Sequence, residues 1–95
     1  MAAILLARFK VADYEKWRQT FEGHADLRKT NGCTGTHIFR NAHDRTDVVI
    51  NLQWDSEENA QKFLASPEAR AAMQESGMVG TPDMTFLEDG GRTPN

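Results

Sequence analysis

The sequence predicts an α+β fold with the element order βαββαβ. Three observations predict it: four short segments with strand-like alternation, two amphipathic helical regions between them, and a polar turn joining the second strand directly to the third. In a chain of 95 residues, these elements can form one four-stranded antiparallel sheet with the helices on one face, the ferredoxin-like arrangement. We expect residues 1–88 to be a single domain and residues 89–95 to be a flexible tail.

The first strand is predicted over residues 3–11, with Leu5, Ala7 and Phe9 on one face. Asp13 can cap a helix that is predicted over residues 16–30 and ends at the Asn-Gly pair that follows. Aromatic and basic residues spaced by three and four form one stripe of this helix, which should face the sheet. The stripe consists of Tyr14, Trp17, Phe21, His24 and Arg28.

A β-hairpin follows this helix. Its strands are predicted over residues 34–41 and 48–54, and the polar residues 41–47 form the turn. One face of the third strand is fully apolar and should meet the helices. This face consists of Val48, Ile50, Leu52 and Trp54.

The second helical region is divided in two. Ser56 opens the first segment, and Ser66 with Pro67 restarts the helix, because Ser is favoured at the cap and Pro at the first helical position. Gly77 closes the second segment, and a last strand is predicted over residues 84–88. The residues expected to point inward from the first segment are Ala60, Phe63 and Leu64.

The sheet face turned away from the helices predicts a homodimer. It carries residues such as Val49, Asn51 and Gln53, and along the other strands it is too apolar to be left in water. A small domain covers such a face most simply with a second copy of itself.

Composition and charge argue against several classes of partner. The net charge is −3 and the Lys and Arg residues are scattered, whereas nucleic acids and anionic membranes select for clustered basic residues. Cys33 is the single cysteine, so no internal disulfide or Cys-rich zinc site is expected. The apolar start is too brief for a signal peptide or membrane span, so a cytoplasmic location is expected.

No metal or nucleotide site is predicted. The three histidines, His24, His37 and His43, lack the short spacing of metal ligands and have no carboxylates clustered with them. No Gly-rich loop precedes a helix, so phosphate binding has no support.

Aromatic, Gly and charged residues recur along most of the chain in a recognisable order. The pattern begins with Asp13-Tyr14-x-x-Trp17-x-x-x-Phe21, which is followed by His24, Arg28, Gly32, Gly35 and Phe39-Arg40. It continues with Trp54-Asp55 ahead of Ala60-x-x-Phe63. It ends with Pro82 ahead of Phe86-Leu87-Glu88. Over residues 3–88 this pattern resembles small proteins of the antibiotic biosynthesis monooxygenase family. The resemblance specifies the fold well and the reaction poorly.

The resemblance implies a dimeric α/β barrel, in which two sheets pack face to face and each subunit keeps a pocket between its own sheet and helices. That superfamily includes cofactor-independent oxygenases of polyketide quinone precursors, polyketide cyclases and haem-degrading enzymes. The haem-degrading branch uses an Asn on the first strand, a Trp at the end of the third and a His on the second helix. Here Trp54 corresponds, but the first strand has no Asn and residues 57–76 contain no His, so haem degradation is not expected. The resemblance to cofactor-independent enzymes implies that no cofactor is needed.

His24 and Arg28 are the candidate catalytic residues. A histidine at the edge of an apolar space can take a proton near neutral pH. Arg28, one turn further on, can hold a carboxylate or a developing enolate or phenolate oxygen. The structural alternative is that His24 is a hydrogen-bonded boundary residue and that Arg28 pairs with a surface carboxylate.

The candidate substrate-binding residues are mostly aromatic. Trp54 could stack on an aromatic ring and donate its indole N–H to a carbonyl, although filling the core is the simpler role for it. His37 and Arg40 point to opposite faces of the second strand, and the sequence leaves open which of them joins the pocket. The complete set is Trp17, Phe21, His37, Trp54 and Phe63.

These residues support three hypotheses. The first is a cofactor-independent monooxygenase or cyclase acting on a small aromatic or polyketide-like substrate. The second is a non-catalytic protein that binds a small hydrophobic ligand in the same pocket. The third is a structural dimerisation module, which predicts that helices and sheet pack together without a cavity. The first two hypotheses predict a cavity of about 300 Å³ or more.

Overall fold

The computed structural model describes residues 2–95 and confirms the predicted sheet and helices. One antiparallel sheet has the strand order β2-β3-β1-β4, and the helices lie on one of its faces. In chain order the elements are β1 (Ala3–Val11), α1 (Tyr14–Gly23), α2 (Ala25–Thr30), β2 (Cys33–Asn41), β3 (Asp44–Trp54), α3 (Glu57–Leu64), α4 (Pro67–Glu75) and β4 (Met78–Leu87).

The helix starts follow the predicted caps. The side chains of Asp13, Ser56 and Ser66 each accept a hydrogen bond from the backbone N–H three residues later, at 3.1–3.2 Å. Pro67 occupies the first turn of α4, where its missing N–H leaves no helical bond unmade. These local signals divide the second helical region into α3 and α4.

The first helical region differs from the prediction, because it is broken at His24. In an uninterrupted helix, the backbone N–H of His24 would donate to the carbonyl of Thr20. Instead, the His24 ring Nδ1 lies 2.8 Å from that carbonyl oxygen, while the His24 backbone N–H donates to Phe21 at 3.2 Å. Gly23 precedes the break and has low helix propensity. The break separates α1 from α2 and places the imidazole at the junction.

β1 has the predicted bounds, whereas β2, β3 and β4 begin earlier than predicted. The turn between β2 and β3 is only Ala42 and His43, so most of the polar segment expected to be a loop is strand. β4 begins at Met78 and contains Pro82, which the sheet tolerates because β4 is an edge strand. Its pairing with β1 shifts register between Arg8 and Lys10. Residues 89–95 are exposed and contain no helix or strand; their flexibility stays a prediction.

The core lies between the sheet and the helices, as predicted. Alternate residues of β1 and β3 point into it, and α1 and α3 supply the facing side chains. The largest side chains that are almost completely buried are Leu5, Trp17, Val48 and Trp54. Phe9 of β1 and three aromatic residues of α1 (Tyr14, Trp17 and Phe21) form a connected group of rings, with neighbouring centroids 5.1–5.9 Å apart.

A buried carboxylate on the other sheet face should make stability depend on acid. Asp47 accepts hydrogen bonds from Arg8 Nη2 at 2.7 Å and from Asn41 Nδ2 at 3.0 Å. The Arg8 bond, and then the Asn41 bond, lower the pKa of Asp47 to about 2. A carboxyl group whose pKa is lower in the folded state than its unfolded value of about 3.9 stabilises the fold above that value. This stabilisation is lost as the pH falls through about 2.

We therefore expect Asp47→Asn to lower stability at pH 7 and to lose less stability than the wild type between pH 4 and pH 2. Urea denaturation followed by circular dichroism at several pH values measures both effects. Asp26→Asn is the matched control, because Asp26 is exposed and has no hydrogen bond or ion pair within residues 2–95. Parallel curves for Asp47→Asn and the wild type would contradict the prediction.

Candidate active site

A partly open cavity of about 90 Å³ lies between the sheet and the helices. Its floor comes from β1 and β3, and its walls come from all four helices and from β4. Six of the seven residues that the sequence singled out line it: Trp17, Phe21, His24, Arg28, Trp54 and Phe63. Sequence reasoning missed two polar lining residues, Thr20 and Ser76. The helical spacing of Thr20 from Trp17 and His24 is a signal that could have identified it.

The imidazole of His24 is held in a defined orientation. Its Nδ1 lies 2.8 Å from the backbone oxygen of Thr20, and a carbonyl oxygen can only accept a hydrogen bond. We therefore assign the proton of the neutral ring to Nδ1, which leaves Nε2 as the free base. Nε2 lies 3.6 Å from a carboxylate oxygen of Glu75, at the end of α4. This carboxylate is mostly exposed, so water screens its attraction for an imidazolium.

Arg28 is a buried cation without a carboxylate partner. Only 8% of the residue is exposed, and no Asp or Glu of residues 2–95 lies within ion-pair distance of it. Its Nη1 donates to the backbone oxygen of Phe21 at 2.7 Å, and its guanidinium carbon lies 3.6 Å from the centre of the Phe21 ring. Burial lowers the pKa of Arg28, but a guanidinium stays protonated in proteins. The predicted alternative of a surface ion pair is therefore wrong for this residue.

Trp54 fills the core and also lines the cavity. The residue is 1% exposed, and its ring centroid lies 5.3 Å from that of Phe63 on α3. Its indole nitrogen is buried and has no hydrogen-bond partner among residues 2–95. An unpaired buried N–H is costly, so an acceptor on a bound molecule would relieve a penalty that the protein alone leaves in place.

His37 does not line the cavity, so the prediction that it is a substrate-binding residue of this pocket is wrong. It is paired with Asn51 in the sheet, one residue away from the inward-facing pair Ile38 and Ile50. Because side chains alternate along a strand, His37 lies on the face opposite the cavity, where its ring stacks on Phe39. Arg40 points toward the helices instead and lies over the ring of Tyr14.

Cys33, the single cysteine, lacks the environment of a reactive thiol. Cys33 is buried, and burial raises the pKa of its thiol, which is the opposite of what a reactive thiolate needs. Within residues 2–95, no three His, Cys, Asp or Glu side chains come close enough together to bind a metal ion. In the same part of the chain, no helix is long and apolar enough to cross a membrane.

Comparison with protein-family models decides the family. Residues 3–75 match the model described as antibiotic biosynthesis monooxygenase. The chain belongs to this family. A search of curated proteins found no match. The matched segment includes every helix and ends before the last strand.

Solved structures of antibiotic biosynthesis monooxygenases share the fold of this one. SnoaB, a cofactor-independent oxygenase from Streptomyces nogalater, superposes with a TM-score of 0.81 at 14% identity, covering 99% of this chain and 98% of its own. A proposed family member from Bordetella bronchiseptica has a TM-score of 0.82 at 13% identity, over 93% and 96% of the two chains. Another from Caulobacter crescentus has a TM-score of 0.74 at 19% identity, over 93% and 89%. At these identities the likeness shows the fold alone.

Proposed function

We propose that this family member is a cofactor-independent enzyme of the monooxygenase or cyclase type, acting on a small aromatic or polyketide-like substrate. The observation that supports it best is the cavity between sheet and helices, with His24, Arg28 and Trp54 in its wall. A structural dimerisation module has no need of an internal space, or of a buried cation and a free indole N–H beside it. Family membership adds weight to the oxygenase type of reaction.

The proposed chemistry begins with proton abstraction. Nε2 of His24 would remove a proton from an acidic O–H or C–H group of the substrate, and the hydrogen bond from Nδ1 to Thr20 would keep the ring oriented. Arg28 would hold a negatively charged oxygen of the substrate. In the monooxygenase route, the anion would add O₂ to form a C–O bond, His24 would return its proton to the resulting peroxide, and cleavage of the O–O bond with loss of water would leave a quinone carbonyl. In the cyclase route, the anion would attack a carbonyl group of the same molecule in an aldol-type ring closure, and His24 would return its proton to the new alkoxide. Neither route requires a metal or an organic cofactor.

The size of the cavity limits what fits without rearrangement. Its volume of about 90 Å³ falls short of the expected size of about 300 Å³ or more, which is the lower end of the usual range for ligand pockets. It is also smaller than the roughly 150 Å³ cavity that admits benzene in an engineered core. Three flexible methionines, Met73, Met78 and Met84, line it and could move aside at low cost. We therefore propose that the substrate enters by displacing these side chains.

Oxygen uptake tests the proposal. The purified protein, treated with a chelator and supplied with no flavin, would be incubated with a panel of phenols and hydroquinones in an oxygen electrode. Uptake with a hydroxylated or quinone product would support the monooxygenase type. Ring closure of a polyketide-like compound without uptake would support the cyclase type. Saturable binding with no product would establish the second hypothesis, a non-catalytic binder, and would overturn the enzyme proposal.

We also propose that the chain forms a homodimer through the outer face of its sheet, as the family resemblance implied. Phe39 and Val79 on this face are 47% and 55% exposed, a high value for large apolar side chains. The side-chain oxygen of Asn51, near the middle of the face, is buried without a hydrogen-bond partner in residues 2–95. The apolar residues of this face are Ile4, Leu6, Phe39, Val49, Val79 and Leu87.

A charge placed on this face should separate the subunits. We expect Phe39→Glu to convert a dimer into a monomer, because two copies of the new carboxylate would be buried in an apolar contact. Light scattering coupled to size-exclusion chromatography measures the mass. Gln19→Glu adds the same charge on the exposed surface of α1 and should leave the dimer intact. A wild-type mass equal to that of one chain would contradict the proposal.

A further inference from the structure

A second concave region lies next to the cavity, on its outer side. It is a groove of about 580 Å³ between α2 and the beginning of β2, which we call the α2–β2 groove. This volume falls within the usual range for ligand pockets. Its lining includes Arg28, Lys29, Thr34, Thr36 and Asp55.

Arg28 belongs to the walls of both spaces, so its side chain lies between the groove and the cavity. The guanidinium is fixed from one side by stacking at 3.6 Å on Phe21, and at one nitrogen by the carbonyl of the same residue. A guanidinium has five N–H donors, and no other hydrogen bond from Arg28 to residues 2–95 is present. A buried cation held in place with unused donors is preorganised for an anion.

From this juxtaposition we infer that the protein selects aromatic acids: the ring enters the cavity, and the carboxylate binds Arg28 at its junction with the α2–β2 groove. The planar fork of a guanidinium matches the two oxygens of a carboxylate. The inference rests on the proposed function in placing the ring in the same cavity. It narrows the negatively charged oxygen held by Arg28 to a carboxylate that the substrate already carries.

The charges around the groove favour a single negative charge. Lys29 adds a second cation at the exposed rim. On the other side of the groove, the negative charge of Asp55 offsets the positive charge of Lys29. The Asp55 carboxylate lies beside Gly32 and accepts a hydrogen bond from Asn59 Nδ2 at 2.9 Å. A carboxylate is attracted by Arg28, and the opposite charges of Lys29 and Asp55 largely cancel in their effect on it. A phosphate dianion carries twice the charge and would be repelled more strongly by Asp55. The unpaired edge of β2 and the hydroxyl groups of Thr34 and Thr36 offer polar contacts for substituents.

Benzoate and benzamide are the matched probes, because they share size and shape and differ in charge. We expect benzoate to bind the wild-type protein about tenfold more tightly than benzamide, as a charge-assisted hydrogen bond implies. Nuclear magnetic resonance titration of the backbone amides measures both affinities, and locates the binding at Gly32 and Gly35 in the groove and at His24 in the cavity wall. Equal affinities, or no shift of these amides by benzoate, would overturn the inference.

Variants separate recognition from packing. Arg28→Met should weaken benzoate about tenfold and leave benzamide nearly unchanged, and Arg28→Lys should restore part of the preference. Lys29→Gln, an exposed change, should weaken benzoate about two- to threefold. Lys16→Gln removes the same charge from the exposed surface of α1 and should have no effect. A purely structural Arg28 predicts a lower melting temperature with an unchanged ratio of the two affinities, which would overturn the inference.

The outcomes also separate this inference from the proposed function. If Arg28→Met does not fold, the wild-type preference for benzoate and the position of the shifted amides still decide it. Oxygen uptake with neutral phenols, and no preference for acids, would overturn the inference and leave the enzyme proposal standing. Selective binding of benzoate without turnover of any aromatic acid would support the inference and overturn the enzyme proposal.

Discussion

Replacing His24 with Gln is expected to lower kcat/KM for the proposed reaction by about 100- to 10,000-fold, the usual contribution of a general base. A glutamine amide can still donate a hydrogen bond to the Thr20 carbonyl, so the break between α1 and α2 should persist. It cannot accept a proton at neutral pH. The substitution therefore removes the base at Nε2 while retaining the local geometry.

Oxygen uptake or product formation gives the rates, and circular dichroism shows whether the fold is retained. His43→Gln is the matched control, because His43 lies exposed in the β2–β3 turn and outside the cavity. If His24→Gln kept the full turnover of the wild type, His24 would not be the base. A loss of binding with unchanged kcat would instead assign it a role in holding the ligand.

Replacing Trp54 with Ala is expected to reduce the free energy of unfolding by about 3–5 kcal/mol, as for other fully buried large aromatic residues. Trp54 is 1% exposed and packs on Phe63, so its loss enlarges the neighbouring cavity and removes a wall of it. In a domain of this size, each kcal/mol corresponds to a decrease of about 4–8 °C in melting temperature. Differential scanning calorimetry measures the change directly.

Trp54→Phe separates packing from hydrogen bonding. It retains most of the ring and removes the indole N–H, which has no partner within residues 2–95. We expect a small change in stability, because a buried unpaired donor disappears together with some ring volume. If the indole donates to the substrate, kcat/KM should fall while the melting temperature stays close to that of the wild type. Unchanged turnover in Trp54→Phe would restrict Trp54 to filling the core.

Local patterns accounted for most of the fold. The caps at Asp13, Ser56 and Ser66 were predictable because each is a short-range hydrogen bond between a side chain and a nearby backbone N–H. The inward face of β3 was predictable because alternation is a property of any strand. The break at His24 was not predicted, since it depends on a side chain replacing a backbone donor at the Thr20 carbonyl.

The candidate site was predicted in part. The stripe on the first helical region places Trp17, Phe21, His24 and Arg28 together, and the structure brings all four to one cavity. The prediction that His37 lines the pocket is wrong because alternation gives two faces, and only pairing with β3 decides which one meets the helices. The α2–β2 groove had no sequence signal, since its walls come from segments joined only by the sheet register.

By itself, the sequence determined the order of the elements, the faces that they bury, and family membership, because these depend on short-range periodicity and motifs. The tertiary structure decided three further points: the size of the cavity, the absence of a carboxylate beside Arg28 in residues 2–95, and the position of Arg28 between the cavity and the groove. The physical reason is the same for all three. Each depends on the distance between groups on different elements, which is set by how the helices pack on the sheet.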